Sequence, residues 1–201
     1  MSLETKLRRF REIVEDVTEE LKEYVYWPAG YRLYVRAMSK KESEKEGIAI
    51  YEGRTLRVNR ALLRLPIADQ TLLALHEITH HLQQITQHAA GHYVEESDEC
   101  MAAEERCAVT CEKKWAPIFG IPNSTVRDWE KYQESRAKLD TAVKEGRVKT
   151  VAQARQLMLN YGVPKRLVRA KVELARVKDR PGEVQGYVNG IISKSHDCPC
   201  V

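Results

Sequence analysis

Asp69-Gln-Thr-Leu-Leu-Ala-Leu-His-Glu-Ile-Thr-His-His-Leu-Gln-Gln-Ile-Thr-Gln87 is the stretch on which the reading of this chain turns. Leu72, Leu73, Leu75, Leu82 and Ile85 recur at helical spacing, which predicts one amphipathic helix over the whole segment, with Asp69 as its cap. On a helix, residues four apart lie on one face, so His76 and His80 can both reach a single metal ion. Glu77 is turned about 100° from His76, close enough to act beside such an ion without being a ligand. Zinc is the metal this pair predicts. It would polarise a carbonyl, while Glu77 takes the proton of an attacking water and hands it to a departing amine. Apolar neighbours on both sides of His76-Glu-Ile-Thr-His80 predict that the site is buried.

A catalytic zinc site needs a third protein ligand and an open fourth position. A third histidine closely following the motif would require glycine at position 83 and histidine at 86, but the chain has Gln83 and Thr86. The remaining candidates are His88, His92 or a carboxylate from the next helix, which runs from about Glu95 to Trp115. On that helix Cys100, Cys107, Ala108, Cys111 and Trp115 share a face. Glu104 falls at its centre and Glu105 at its edge, while Glu95, Asp98 and Glu99 point elsewhere. Glu96, two turns earlier, is second choice. A lone carboxylate in an apolar stripe is costly unless it is paired or binds a metal, so Glu104 is the expected third ligand. An oxyanion stabiliser is also expected, and His88, His92 and Tyr93 lie in the connection that would supply it, with His92 and Tyr93 as the candidates. His81 points off the ligand face.

The rest of the chain reads as α+β and mostly helical. Leu3, Leu7, Phe10, Val14, Val17, Leu21 and Tyr24 line one face of a helix over 3–25, stopped by Pro28 and Gly30. Tyr31 to Ala37 alternates like a half-buried strand, Lys40–Glu46 reads as a charged loop, and Ile48–Tyr51 and Arg54–Val58 flank a hairpin turn at Glu52-Gly53. Beyond Pro122, helices are expected at roughly 124–144, 150–161 and 165–178, with breaks at Gly146 and Gly162-Val-Pro164. This predicts three parts: a metal-binding domain over 1–122, a helical accessory segment over 123–180, and a flexible tail over 181–201.

Composition narrows the setting. Apolar residues make up 43% of the 201 and charged residues 31%, enough for a core inside a wet surface. The charged start of the chain lacks the apolar stretch of a leader, and no apolar run reaches the length of a bilayer span, so a cytoplasmic protein without a membrane partner is expected. Five cysteines, an odd number, rule out a complete disulfide framework. Cys100, Cys107 and Cys111 read as small core residues, and Cys198 and Cys200 as part of an exposed tail. Residues 1–123 carry 17 basic and 20 acidic side chains, whereas 124–201 carry 16 and 9. The basic surplus of 144–180, with the helix-turn-helix-like break at Tyr161–Pro164, raises nucleic-acid binding as an alternative. That alternative is not favoured, because no arginine-rich patch with interleaved aromatics is present.

His76-Glu-x-x-His80, followed by Glu104, Cys107-Ala108, Cys111 and Trp115-Ala-Pro117, resembles the ImmA/IrrE metallopeptidases, small zincins of the glutamate type. Tyr161-Gly-Val-Pro164 is similar to a second stretch of that family. The match is closest over about 70–120. Thr79 stands where the family commonly has glycine, and Thr110 where it has a large apolar residue. The resemblance implies a zincin-like domain, one zinc ion per chain, and Glu104 rather than Glu105 as third ligand. It further implies cleavage of a specific protein substrate, such as a DNA-binding transcriptional repressor. The competing reading is a DNA-binding or regulatory protein with a structural or vestigial zinc site. A DNA-repair protease with His92 as third ligand fits less well, because a downstream zinc ribbon is missing.

Overall fold

The computed structural model describes residues 1–25, 27, 32–45, 49–52, 54–89 and 98–179. The first helix, α1 (Leu3–Leu21), starts where the Ser2 hydroxyl accepts a hydrogen bond from the Thr5 amide at 3.1 Å. Its buried side chains, Leu7, Phe10, Val14, Val17 and Leu21, alternate at steps of three and four, so one stripe faces the core. That stripe packs against α3 (Ile67–Ala89), the central helix. Residues 72–79 of α3 are all buried, because α1, the sheet and α4 (Asp98–Trp115) cover it on different sides.

Three strands precede α3: β1 (Tyr34–Ala37), β2 (Ala49–Glu52) and β3 (Thr55–Val58). β3 is central, parallel to β1 and antiparallel to β2. Glu52 pairs with Thr55, so Glu52 belongs to β2 and not to the turn that the sequence suggests; Gly53 lies outside the described residues. Leu56 and Val58 are buried on the core side of β3, while Thr55 and Arg57 are half-buried. Between β1 and β2 the expected charged loop is a short helix, α2 (Lys40–Lys45). The cause is a reciprocal cap: the Glu42 amide donates to Ser39 Oγ at 3.1 Å, and the Ser39 amide donates to Glu42 Oε2 at 2.6 Å. Glu42 also accepts from Arg36 of β1 and Arg57 of β3, at 3.0 and 3.1 Å, which ties α2 to the sheet.

The second half is helical: α5 (Asn123–Lys144), α6 (Val151–Asn160) and α7 (Ala170–Asp179), each packed on the other two. Gly146 and Gly162 end α5 and α6 as expected, with φ of 71° and 77°. At each, the glycine amide and the following amide bond back to carbonyls of the last turn, a geometry that needs a left-handed residue. Helix α7 begins five residues later than expected, because Pro164–Val168 closes a separate turn in which the Leu167 amide donates to the Pro164 carbonyl. Buried between α5 and α7 is a charged cluster: Glu173 accepts from Tyr132 Oη at 2.7 Å and from Arg136 Nε at 2.9 Å.

Asp69 does not cap α3. The helix starts two residues earlier, after Pro66, and the buried Asp69 carboxylate accepts from Trp129 Nε1 at 2.9 Å and from Arg166 at 3.0 and 3.1 Å. It joins α3 to α5 and to the α6–α7 connection. Cys111 is a buried free thiol, as expected of a core residue. Cys107 is buried too but is disulfide-bonded, which differs from its reading as a plain core thiol. No described helix is long and apolar enough to cross a membrane. The expected tail, 181–201, lies outside the described residues.

Candidate metal centre

The four-residue spacing does on α3 what helix geometry requires, placing the His76 and His80 rings 4.7 Å apart between centroids. Helix α4 runs antiparallel to α3: His76 meets both Glu105 and Glu112, whereas His80 meets Glu105. Glu105 and Glu112 are seven residues apart, within about 20° of each other around the helix, and form a second stripe. Ala108, fully buried, sits between that stripe and the apolar face of Cys107, Cys111 and Trp115.

Three groups converge: His76 Nε2, His80 Nε2 and the Glu105 carboxylate. The two nitrogens are 3.1 Å apart, and the carboxylate oxygens lie 3.4 Å from His76 and 3.5 Å from His80. A tetrahedral zinc ion with bonds of about 2.0–2.1 Å needs ligand atoms roughly 3.3 Å apart, so this set has the right dimensions. The opposite ring edges support the same conclusion. His76 Nδ1 lies 2.5 Å from Glu112 Oε1, and His80 Nδ1 lies 3.0 Å from the side-chain oxygen of Gln83. Both acceptors lack a proton to give, so this network assigns the proton to Nδ1 on each ring. In the neutral rings, the two Nε2 lone pairs then face each other beside a carboxylate. That is repulsive unless a cation relieves it.

The titration behaviour shows the same demand for positive charge. Burial alone would push His76 down, but the carboxylates of Glu112 and Glu105 hold it well above its ordinary range. His80 is likewise raised, against its burial, by Glu105. Burial would raise Glu105, yet the two histidines hold it well below the ordinary carboxylate range. Glu77 is buried, and burial pushes its carboxyl up against the opposing pull of His76 and His80.

Among the described residues the structure brings together His76, Glu77 and His80 of the expected set, with Glu105, the edge residue of the α4 apolar face, as the acidic group beside them. The histidines lie about 100° around α4 from the apolar face on which Glu104 was centred, and an edge position such as Glu105 is what meets them. The side chains of Glu104 and His88 are outside those described, as are His92 and Tyr93, the expected oxyanion stabilisers. His81 is fully buried off the ligand face, 5.5 Å from the Trp27 ring, and burial pushes it down to about 4. Glu112 and Gln83 escape the sequence reading altogether. The available signal is the seven-residue spacing of Glu105 and Glu112, which sets two carboxylates opposite two histidines. No protein-family model, curated protein or solved structure matches this chain.

Proposed function

We propose that this chain is a zinc-dependent endopeptidase in which His76, His80 and Glu105 hold the metal and Glu77 is the catalytic base. The observation that carries the reading is the convergence of two Nε2 atoms and one carboxylate at 3.1–3.5 Å, with both Nδ1 atoms already committed to acceptors. Among the described residues, two imidazoles and one carboxylate leave a fourth position open, as catalysis requires and a closed structural site does not. A zinc ion held there supplies Lewis acidity to a peptide carbonyl and to water. Glu77 follows His76 directly, so it borders the metal without belonging to the ligand set. Its task is to accept the proton of the attacking water and deliver it to the leaving amine.

The arrangement of α3, α4 and the small sheet supports a zincin-like reading. The resemblance of 70–120 to the ImmA/IrrE metallopeptidases supports a specific protein substrate in the cytoplasm, of the DNA-binding repressor class. His92 and Tyr93 stay proposals for the oxyanion stabiliser. The decisive experiment is Glu77→Gln, which keeps the size of the side chain but removes the basic carboxylate. The variant should retain metal and fold, yet cleave peptide about two to four orders of magnitude more slowly. Cleavage of a repressor substrate at the wild-type rate would remove Glu77 from the mechanism.

A further inference from the structure

We infer that Glu112 is the positioning residue of the metal centre, orienting His76 through Nδ1 and setting how tightly the site holds its ion. The inference rests on the metal reading above. Glu112 reaches His76 from the ring edge opposite Nε2, so the imidazole stands between it and the metal position and Glu112 cannot itself be a ligand in this geometry. Its side chain is 13% exposed and that of His76 9%, so water competes little for the 2.5 Å contact. A histidine ligand held in this way has one tautomer and one ring orientation. A carboxylate acceptor also makes the imidazole a stronger donor to the metal.

The two histidines are supported unequally. His76 has a charged acceptor from the neighbouring helix, whereas His80 has the neutral amide of Gln83, from its own helix, at 3.0 Å. Charge-assisted hydrogen bonds are roughly twice as strong as neutral ones. His76 is therefore the better-anchored ligand, and α4 contributes to both shells, Glu105 as ligand and Glu112 as support. Docking α4 onto α3 assembles the whole site at once.

The test uses the full chain and measures Zn2+ affinity by competition with a chromophoric chelator, together with the visible spectrum of the Co2+ form. Glu112→Leu should weaken Zn2+ binding about 10–100-fold and change the Co2+ bands. Glu112→Gln keeps an acceptor oxygen and should recover most of that loss while staying several-fold weaker than wild type. Gln83→Leu should cost less affinity than Glu112→Leu. A wild-type protein that binds one ion per chain, with Glu112→Leu binding it equally well, would overturn the inference. Equal losses for Glu112→Leu and Gln83→Leu would overturn the charge argument within it. If Glu112→Leu does not fold, wild-type affinity in Glu112→Gln overturns it instead. Failure of the wild-type protein to bind Zn2+ or Co2+ at all would overturn the metal reading, and this inference with it.

Discussion

Asp69 and Arg166, 97 residues apart in sequence, form a two-pronged ion pair, with Arg166 Nε and Nη2 at 3.0 and 3.1 Å from the Asp69 carboxylate. Asp69 lies in the first turn of the helix that carries both histidines, and its side chain is 2% exposed. Arg166 is also bound to Asp128 at 2.9 Å. The pair fastens the helix of His76 and His80 to the helical second half. Arg166→Met should leave the buried carboxylate with the Trp129 indole as its hydrogen-bond donor and destabilise the protein by about 1.5–3 kcal/mol. Urea unfolding of the metal-free protein measures this. An unchanged midpoint would mean that the clamp contributes nothing.

The ligand set makes a second prediction. The protein should bind about one zinc per chain, and His76→Ala or His80→Ala should abolish it. Glu105→Gln should weaken binding by an order of magnitude or more, whereas Glu104→Gln should leave it near wild type. Elemental analysis after dialysis gives the ranking. The opposite order would favour Glu104 as the third ligand.

Acid sensitivity should follow from Glu173. Burial would raise its pKa, but the Arg136 guanidinium, with further help from Arg176 and Tyr132, lowers it below the ordinary 4.5. A depressed folded-state pKa contributes stability that is present above the unfolded value and lost as pH falls through the folded one. The wild-type protein should therefore lose this contribution below about pH 4.5. Glu173→Gln should be destabilised by about 3–5 kcal/mol at neutral pH, because Arg136 is left buried without its counter-charge. Its stability should also fall less steeply with acid. Parallel pH curves for the two proteins would contradict the assignment.

The basic second half should not bind DNA tightly. Helix α7 packs against α5, α6 and α2. The exposed side chains along it are Lys171, Ala175, Lys178 and Asp179, too few cations on one face to track a groove. Lys178 is moreover turned to the Lys149 carbonyl at 3.0 Å. Fluorescence anisotropy with duplex DNA should give weak binding that disappears at moderate salt. Tight binding with a steep salt dependence would favour the DNA-binding, regulatory reading instead.

Much of this protein was decided locally and could be read from the sequence. The stripe Leu7–Phe10–Val14–Val17–Leu21 makes α1 a core helix wherever it packs, and Gly146 and Gly162 stop α5 and α6 because a left-handed residue suits glycine. His76 and His80 share a face because α-helical geometry repeats every 3.6 residues, a property of the backbone alone. The cap of α2 was legible as well, in Ser39-Lys-Lys-Glu42, but the density of charge around it hid the signal.

What only the tertiary structure decided is how these pieces meet. Two neighbouring glutamates differ by about 100° on a helix, so Glu104 or Glu105 faces the histidines according to how α4 is rotated against α3. That rotation is set by the packing of Ala108, Cys111 and Trp115, not by any local pattern. The apolar face marks where the core lies, while a polar site belongs at its edge, where carboxylates keep some access to water. Asp69 looks like a helix cap by composition, because the partners that make it a clamp, Trp129 and Arg166, lie 60 and 97 residues away. Glu112 carries no motif at all, since its role depends on touching the far edge of a ring that is 36 residues distant in the chain. Hydrogen-bond partners at such separations are chosen by the fold, because no local pattern relates residues so far apart in the chain.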